Sequence, residues 1–192
     1  MARIAVIFGT TDGQTAKIAR HVVEVLRSEQ HVVDLIDTRA PPPSAPLEGV
    51  HAAVIAGSVR MGKFQRPLVE FVREHRDALA GMPTAFLPVS ISAMRSTPPA
   101  LREVKKTIER FIKETGLTPG YIQPTAGALV YTRYPFFTKI AMILISKMAG
   151  GDTDTSRDYE YTDWNAVSEF AHRFAEKARG SREAQYEAGA PA

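Results

Sequence analysis

The chain has 192 residues, no cysteine and a formal net charge of +3. This length suits one domain, and the absence of cysteine excludes a disulfide framework, thiol catalysis and a thiolate metal site. The small surplus of bases forms no dense basic stripe, so we expect no nucleic-acid partner. The N-terminus lacks a signal-peptide pattern and no apolar run reaches the ~20 residues of a membrane-spanning helix. We therefore expect a cytoplasmic protein.

Apolar runs and helical periodicity alternate along the chain. The pattern predicts strands over 4–8, 32–36, 52–56, 84–89 and 122–130. It predicts helices after Thr15, over 65–80, from Pro98 to Gly116, and from an N-cap at Thr162-Asp163. This order predicts an α/β fold, a doubly wound five-stranded parallel sheet with helices on both faces. The predicted domain covers 1–178, with an insertion at 131–161 before the last helix and a disordered tail at 179–192.

The loop after the first strand has the composition of a phosphate site. It offers the hydroxyls of Thr10, Thr11 and Thr15, a glycine at 13 and the start of a helix. Hydroxyls and free N–H groups at a helix N-terminus bind phosphate, and ligands of such sheets lie beyond the carboxyl ends of the strands. The loop has no lysine and no G-x-G-x-x-G pattern, which argues against a nucleoside-triphosphate loop or a dinucleotide fold. The alternative is that these residues only cap the helix.

The same loop resembles known sequences. Thr10-Thr11-Asp12-Gly13-Gln14-Thr15 resembles the T-x-T-G-x-T phosphate loop of flavodoxins, and it is similar to the T-x-D-G-Q-T form in menaquinone-dependent protoporphyrinogen IX dehydrogenases. Gly57 to Phe64 resembles the second flavin loop of that family, with Met61 where tyrosine is usual. The stretches 82–90, 126–129, 133–135, 147–155 and 161–164 are also similar, so the resemblance covers 3–175.

This resemblance implies an FMN enzyme of haem biosynthesis. FMN would take reducing equivalents from protoporphyrinogen IX and pass them to menaquinone or another quinone. The implied FMN-binding residues are Thr10, Thr11, Asp12, Gly13, Gln14, Thr15, Ser58, Val59, Arg60, Met61, Gly62, Ser90, Ile91, Ser92 and Ala93. Candidate partners of the substrate propionates are Arg60, Lys63, Arg95 and Arg133, because arginine binds carboxylates in a bidentate fork. We predict no metal and assign no catalytic acid or base; Phe64 is a second candidate for packing on the flavin ring.

The insertion allows several interpretations. Residues 134–149 are apolar and aromatic with flanking lysines, and they contain no acidic residue. They could form a buried helix or a contact in a homo-oligomer, a peripheral membrane contact on the inner face of the cell membrane, or a wall of the substrate site. The acidic stretch 152–163 has nearly the spacing of a calcium loop, but Arg157 stands where the sharp turn needs glycine. We therefore expect a solvated loop there.

Other functions remain open from the sequence. A flavodoxin electron carrier is usually strongly acidic around its flavin, whereas this chain is mildly basic. An NAD(P)H:quinone reductase would be reduced by NADPH, and a flavin-free scaffold would purify without colour.

Overall fold

The computed structural model describes residues 1–42, 46–129 and 157–188, and its centre is a parallel sheet. The strands are β1 (Arg3–Gly9), β2 (Val32–Asp37), β3 (Ala52–Ser58), β4 (Thr84–Ser90) and β5 (Tyr121–Ile122). Their order is β2-β1-β3-β4-β5, and β6 (Thr125–Ala126) also pairs with β4. All these pairings are parallel. The predicted five-stranded, doubly wound fold is confirmed.

Helices cover both faces of this sheet. They are α1 (Gln14–Ser28), α2 (Arg66–Glu74), α3 (Arg76–Ala80), α4 (Pro98–Thr115) and α5 (Trp164–Ala188), with a short 3₁₀ helix at Ser92–Met94. Successive side chains of β1 point to opposite faces. Ile4 and Val6 pack in the core with α1 and α5, whereas Ala5 and Ile7 pack with α2 and α4. Burial on both faces explains why the central strands are almost entirely apolar.

The helix ends follow the residues that favour them. Helix α4 begins after Thr97 with two prolines in its first turn, and it ends at Gly116, whose φ is +71°. Helix α5 begins after Asp163, whose Oδ1 accepts a hydrogen bond from the Ala166 N–H at 3.0 Å. The N-cap predicted at Thr162-Asp163 is therefore confirmed at Asp163.

Two predicted elements are interrupted in the structure. The strand predicted over 122–130 is divided into β5 and β6 at Pro124, because proline has no N–H to donate to the sheet. The helix predicted over 65–80 is divided into α2 and α3 at His75. There the imidazole Nδ1 lies 2.9 Å from the Phe71 carbonyl oxygen, and the ring stacks on Phe71. The His75 N–H still donates to the same carbonyl at 3.1 Å, and the break lies in the His75 backbone, whose φ of −104° and ψ of 16° are not helical.

The end of the domain also differs from the prediction. Beyond Gly127, β7 (Ala128–Leu129) leaves the main sheet and pairs antiparallel with β8 (Tyr159–Glu160). Helix α5 continues to Ala188, through most of the tail predicted from 179. Arg179, where the predicted tail begins, donates a hydrogen bond to the carboxylate of Glu29, the residue that follows α1.

Predictions for the insertion fall largely outside the described residues. Residues 130–156, including Arg133 and the apolar stretch 134–149, belong to this part of the chain. Within the described ranges, no helix is long and apolar enough to cross a membrane. The same ranges contain no cluster of three side chains suited to a metal ion, so the prediction of no metal stays a prediction for the whole chain.

Candidate functional site

Three loops meet at the carboxyl edge of the sheet. They follow β1, β3 and β4, which are neighbours in the sheet order. Between β1 and β3 the strand order changes direction, and ligands of doubly wound sheets bind at such a switch point. The first loop is 10–13, the second is 59–65 and the third is 91–95. All three carry residues predicted to bind flavin.

Two glycines allow a helix to approach this edge. Gly9 and Gly57 are the paired last residues of the β1–β3 ladder. A Cβ atom at Gly9 would lie 2.9 Å from the Cβ of Leu68, and one at Gly57 would lie 2.6 Å from Leu68 Cδ2. Because larger residues would push α2 away, the glycines set the distance between the first turn of α2 and the strand ends.

The first loop has unused hydrogen-bonding groups. The Gly13 N–H donates to Thr10 Oγ1 at 3.0 Å, and Gly13 is the N-cap of α1 with φ +97°. Thr15 is 1% exposed, and its buried Oγ1 has no hydrogen-bond partner among the described residues. The first N–H groups of a helix also lack intrahelical acceptors. A buried hydroxyl without a partner costs free energy, so this arrangement fits a bound anion.

Asp12 and Gln14 have different surroundings from the threonines. The Asp12 carboxylate lies 3.9 Å from Arg60 Nη1 of the second loop, and this cation offsets its negative charge. Gln14 is buried, and its Nε2 donates to Thr162 Oγ1 at 2.8 Å. Thr162 in turn donates to the Ala126 carbonyl at 2.9 Å. The Gln14 side chain thus ties the first loop to β6 and to the residue preceding the α5 N-cap.

Glu160 of β8 accepts a hydrogen bond from α1. Lys17 Nζ donates to Glu160 at 2.6 Å, and Trp164 Nε1 donates to the same carboxylate at 2.8 Å. Partial burial favours a higher pKa for Glu160, but these hydrogen bonds outweigh it and hold the pKa below its ordinary value. Glu160 therefore connects α1 to the start of α5.

The second loop is a tight turn. Arg60 and Lys63 exchange backbone hydrogen bonds of 2.9 and 3.0 Å. Met61 and Gly62 between them have φ values of +50° and +69°, as in a type I′ turn. Arg110 of α4 donates to the Gly62 carbonyl at 2.6 Å and fixes the turn from below. Met61 is 87% exposed at the tip.

Phe64 does not take the place of a stacking aromatic. It is 8% exposed and packs edge-on against Phe111, with Phe86 also in contact. The expectation that Phe64 could lie on the flavin ring is wrong, because the side chain belongs to the core under α2. Met61 is left as the apolar side chain that the turn presents.

The third loop continues β4 into the short 3₁₀ helix. Ser90 Oγ accepts from the Ala93 N–H at 3.2 Å, and Ser92 Oγ donates to Glu103 of α4 at 2.7 Å. Ser90, Ile91, Ser92 and Ala93 are all half-buried. Arg95 follows Met94, the last residue of the 3₁₀ helix. Behind the loop is an open cavity of about 220 Å³, lined by Ala93, Met94, Gln123, Pro124, Thr125, Ala126, Tyr161, Asp163, Ala166 and Val167.

The structure adds residues that sequence reasoning missed. Gln65 bridges the first and second loops, Arg110 holds the turn and Thr162 receives Gln14. Thr162 was predicted only as part of an N-cap, Gln65 and Arg110 belong to no recognisable motif, and the contacts of all three with the loops are distant in sequence. Gly9 carried a signal, since a glycine ending a buried strand often marks a close approach of another element.

Comparison with known proteins agrees with this geometry. Residues 5–156 match the family described as "Flavodoxin domain". The chain is 33% identical over 171 residues to "Protoporphyrinogen IX dehydrogenase [quinone]" of Escherichia coli strain K12, covering 88% of this chain and 93% of that protein. The protein of that name from Leishmania major is 32% identical over 173 residues, with 88% and 73% covered.

The chain belongs to the protoporphyrinogen IX dehydrogenase [quinone] family of flavodoxin-domain proteins. The resemblance read from the first loop and the C-terminal half is thereby confirmed, and the family is one of oxidoreductases.

Solved structures support the fold of this family member. Oxidised flavodoxin 1 from Bacillus cereus superimposes with a TM-score of 0.55 at 14% identity, covering 91% of this chain and 98% of that one. A flavodoxin from Streptococcus pneumoniae gives 0.55 at 16% identity, with 93% and 99% covered. The chain therefore has the flavodoxin fold, which is a flavin-binding fold.

Proposed function

We propose that this chain uses FMN to oxidise protoporphyrinogen IX to protoporphyrin IX, with a quinone as electron acceptor. The observation that carries the proposal is the match along 93% of the Escherichia coli relative that bears this activity in its name. The loops at the carboxyl edge of the sheet support it, since they combine an anion site with an exposed rim of basic and apolar side chains.

The first loop fits the phosphate of FMN. Donors come from the hydroxyls of Thr10, Thr11 and Thr15 and from the backbone N–H groups of Gln14 and Thr15. The buried Thr15 hydroxyl is the group that most needs an acceptor. Gln14 contributes through its backbone, because its side chain is bonded to Thr162. Asp12 acts through its ion pair with Arg60.

The second and third loops would hold the isoalloxazine ring. One side of the ring would be bordered by Ser58, Val59, Arg60, Met61 and Gly62. Its polar edge would be bordered by Ser90, Ile91, Ser92 and Ala93. When bound, the flavin supplies the redox chemistry. The protein orients it and excludes water, and Met61 can pack on a ring face through its polarizable thioether.

The cations of the second and third loops would bind the propionates of the porphyrinogen; Arg60 and Lys63 are exposed, and Arg95 is half-buried. Arg60 and Lys63 flank the turn and Arg95 ends the third loop. A guanidinium matches a carboxylate in a bidentate pair. Three further proposals concern residues outside the described ranges. They are binding of a propionate by Arg133, a membrane contact through 134–149, and a homo-oligomer.

The decisive experiment is anaerobic turnover of protoporphyrinogen IX by the FMN-loaded chain with a menaquinone analogue. We expect growth of porphyrin fluorescence that requires both protein and quinone. Charge reversal of Lys63 or Arg95 should raise KM for the porphyrinogen without loss of FMN, whereas reversal of Arg60 should also weaken FMN binding, because Arg60 pairs with Asp12. Bound FMN without turnover would contradict the proposal, and bleaching by NADPH would then favour an NAD(P)H:quinone reductase.

A further inference from the structure

The side-chain amide of Gln65 lies between the first and second loops. Its Nε2 is 3.0 Å from Thr11 Oγ1, 2.9 Å from the Ser58 carbonyl oxygen and 2.5 Å from Ser58 Oγ. The two hydroxyl oxygens are 3.5 Å apart. Gln65 Oε1 is buried and has no hydrogen-bond partner in the described part of the chain. One amide thus joins loops that are far apart in sequence.

The local sequence explains why this amide is free to reach the loops. Gln65 is the N-cap of α2, yet its side chain makes no capping hydrogen bond. An N-cap side chain usually accepts from the N–H of the second or third helical residue, and Pro67 at the second position has no N–H. Gly9 provides the space, because a Cβ atom there would lie 3.1 Å from Gln65 Oε1.

The Ser58 carbonyl fixes which end of the amide faces the loops. A carbonyl oxygen only accepts hydrogen bonds, so it requires the NH₂ group and would repel Oε1. With NH₂ in this position, the hydroxyl oxygens of Thr11 and Ser58 also lie next to Nε2. Nε2 donates hydrogen bonds but cannot accept one from either hydroxyl. A hydroxyl has a single proton, which must then point away from Nε2. The amide therefore directs both hydroxyl protons away from Nε2, either toward the other hydroxyl at 3.5 Å or toward a third group.

We propose that Gln65 is a positioning residue for the flavin phosphate, because its amide directs the Thr11 hydroxyl proton toward a phosphate oxygen and fixes the first loop to Ser58. This inference rests on the proposed binding of FMN. Thr11 belongs to the loop that leads into α1, where the buried Thr15 hydroxyl has no partner among the described residues. The Thr11 side chain itself is exposed. A hydroxyl held as a donor to an anion binds it more strongly than one that must first rotate.

The test compares ligands with and without the phosphate. Gln65→Met keeps the length of the side chain and removes its donors. We expect the Kd of FMN, measured by quenching of flavin fluorescence, to rise about tenfold, as for one lost charge-assisted hydrogen bond. The Kd of riboflavin should change less than about twofold. The Kd of inorganic phosphate, measured by calorimetry on the flavin-free chain, should rise by about the same factor as the Kd of FMN.

A matched control separates positioning from general loosening. Gln123 is another amide that bridges two elements, with Nε2 donating to the Ala166 carbonyl at 3.0 Å. Gln123→Met should leave the ratio of the FMN and riboflavin Kd values unchanged. Thr11→Val should abolish the effect of Gln65→Met on that ratio, since the hydroxyl through which Gln65 acts is gone.

Two results would overturn the inference while leaving FMN binding intact. Equal weakening of FMN and riboflavin in Gln65→Met would show a purely structural role, and unchanged binding of both would show no role. If the unsubstituted chain binds neither FMN nor phosphate, the proposed function fails and the inference with it. The unsubstituted chain therefore distinguishes the two failures.

Discussion

Among single residues, Thr15 has a buried hydroxyl that opposes the stability of the free protein. It is buried at the start of α1 without a partner among the described residues, so it costs free energy in the unliganded chain. A phosphate oxygen would satisfy it. A group that destabilises the free protein and strengthens the complex belongs to a binding site.

Replacing Thr15 with valine should therefore have opposite effects on stability and binding. Valine keeps the branched shape and removes the polar atom, so the free energy of unfolding without ligand should stay the same or rise by up to ~1 kcal/mol. The Kd of FMN should rise about tenfold. Urea unfolding and fluorescence titration measure the two quantities. Thr15→Ser retains the hydroxyl and serves as the control; lower stability with unchanged FMN binding in Thr15→Val would refute this role.

At the scale of an element, the Arg60–Lys63 turn places an apolar side chain in solvent. Both central residues have positive φ, a conformation that costs a side chain such as methionine free energy. The turn persists because two backbone hydrogen bonds close it and Arg110 holds the Gly62 carbonyl. Strain retained at an exposed tip points to a function for Met61, in agreement with its proposed contact with the flavin ring.

Met61→Asn should stabilise the unliganded protein. Asparagine tolerates the left-handed conformation and Asn-Gly is a preferred type I′ pair, so we expect a gain of roughly 0.5 to 1 kcal/mol in the free energy of unfolding. Little packing is lost, because Met61 is 87% exposed. Met61→Ala is the control, since alanine removes the same contacts without relieving the strain. A lower urea midpoint for Met61→Asn than for Met61→Ala would contradict this account.

At the scale of the whole molecule, Glu160 links parts of the chain that are remote in sequence. It receives Lys17 from α1 and Trp164 from α5, while its backbone is paired in β8. Hydrogen bonds from these two residues hold its pKa below the ordinary value of 4.5 against the effect of burial. A lowered folded-state pKa contributes stability above the unfolded-state pKa, and this stability is lost as the pH falls through the folded-state pKa.

Glu160→Gln should reveal this contribution through its pH dependence. At pH 7 we expect a loss of roughly 0.5 kcal/mol, because the Glu160 side chain is 35% exposed and solvent screens the ion pair. The difference from the unsubstituted chain should shrink as the pH falls below 4.5 toward 3. Urea midpoints at several pH values test this. Glu169→Gln, at an exposed position of α5, is the control, and a difference that persists at pH 3 would exclude the ion pair as its cause.

The pattern of residues along the chain was enough to predict the sheet and its buried strands. Apolar runs such as Ile4 to Phe8 must be buried on both faces, and their alternation with amphipathic helices allows few topologies. The proposed phosphate loop could be predicted from the sequence because its hydroxyls, Gly13 and the helix start are contiguous. Local chemistry of this kind is written in adjacent residues.

The contacts between separate segments could not be predicted in this way. The bridge from Gln65 to Thr11 and Ser58, the hold of Arg110 on Gly62, and the burial of Phe64 all depend on where α2 and α4 pack against the strand ends. The division of the last strand at Pro124 had a local cause, but the pairing of β7 with β8 joins residues about thirty positions apart. Such contacts depend on distances set by the packed core, which no local pattern encodes.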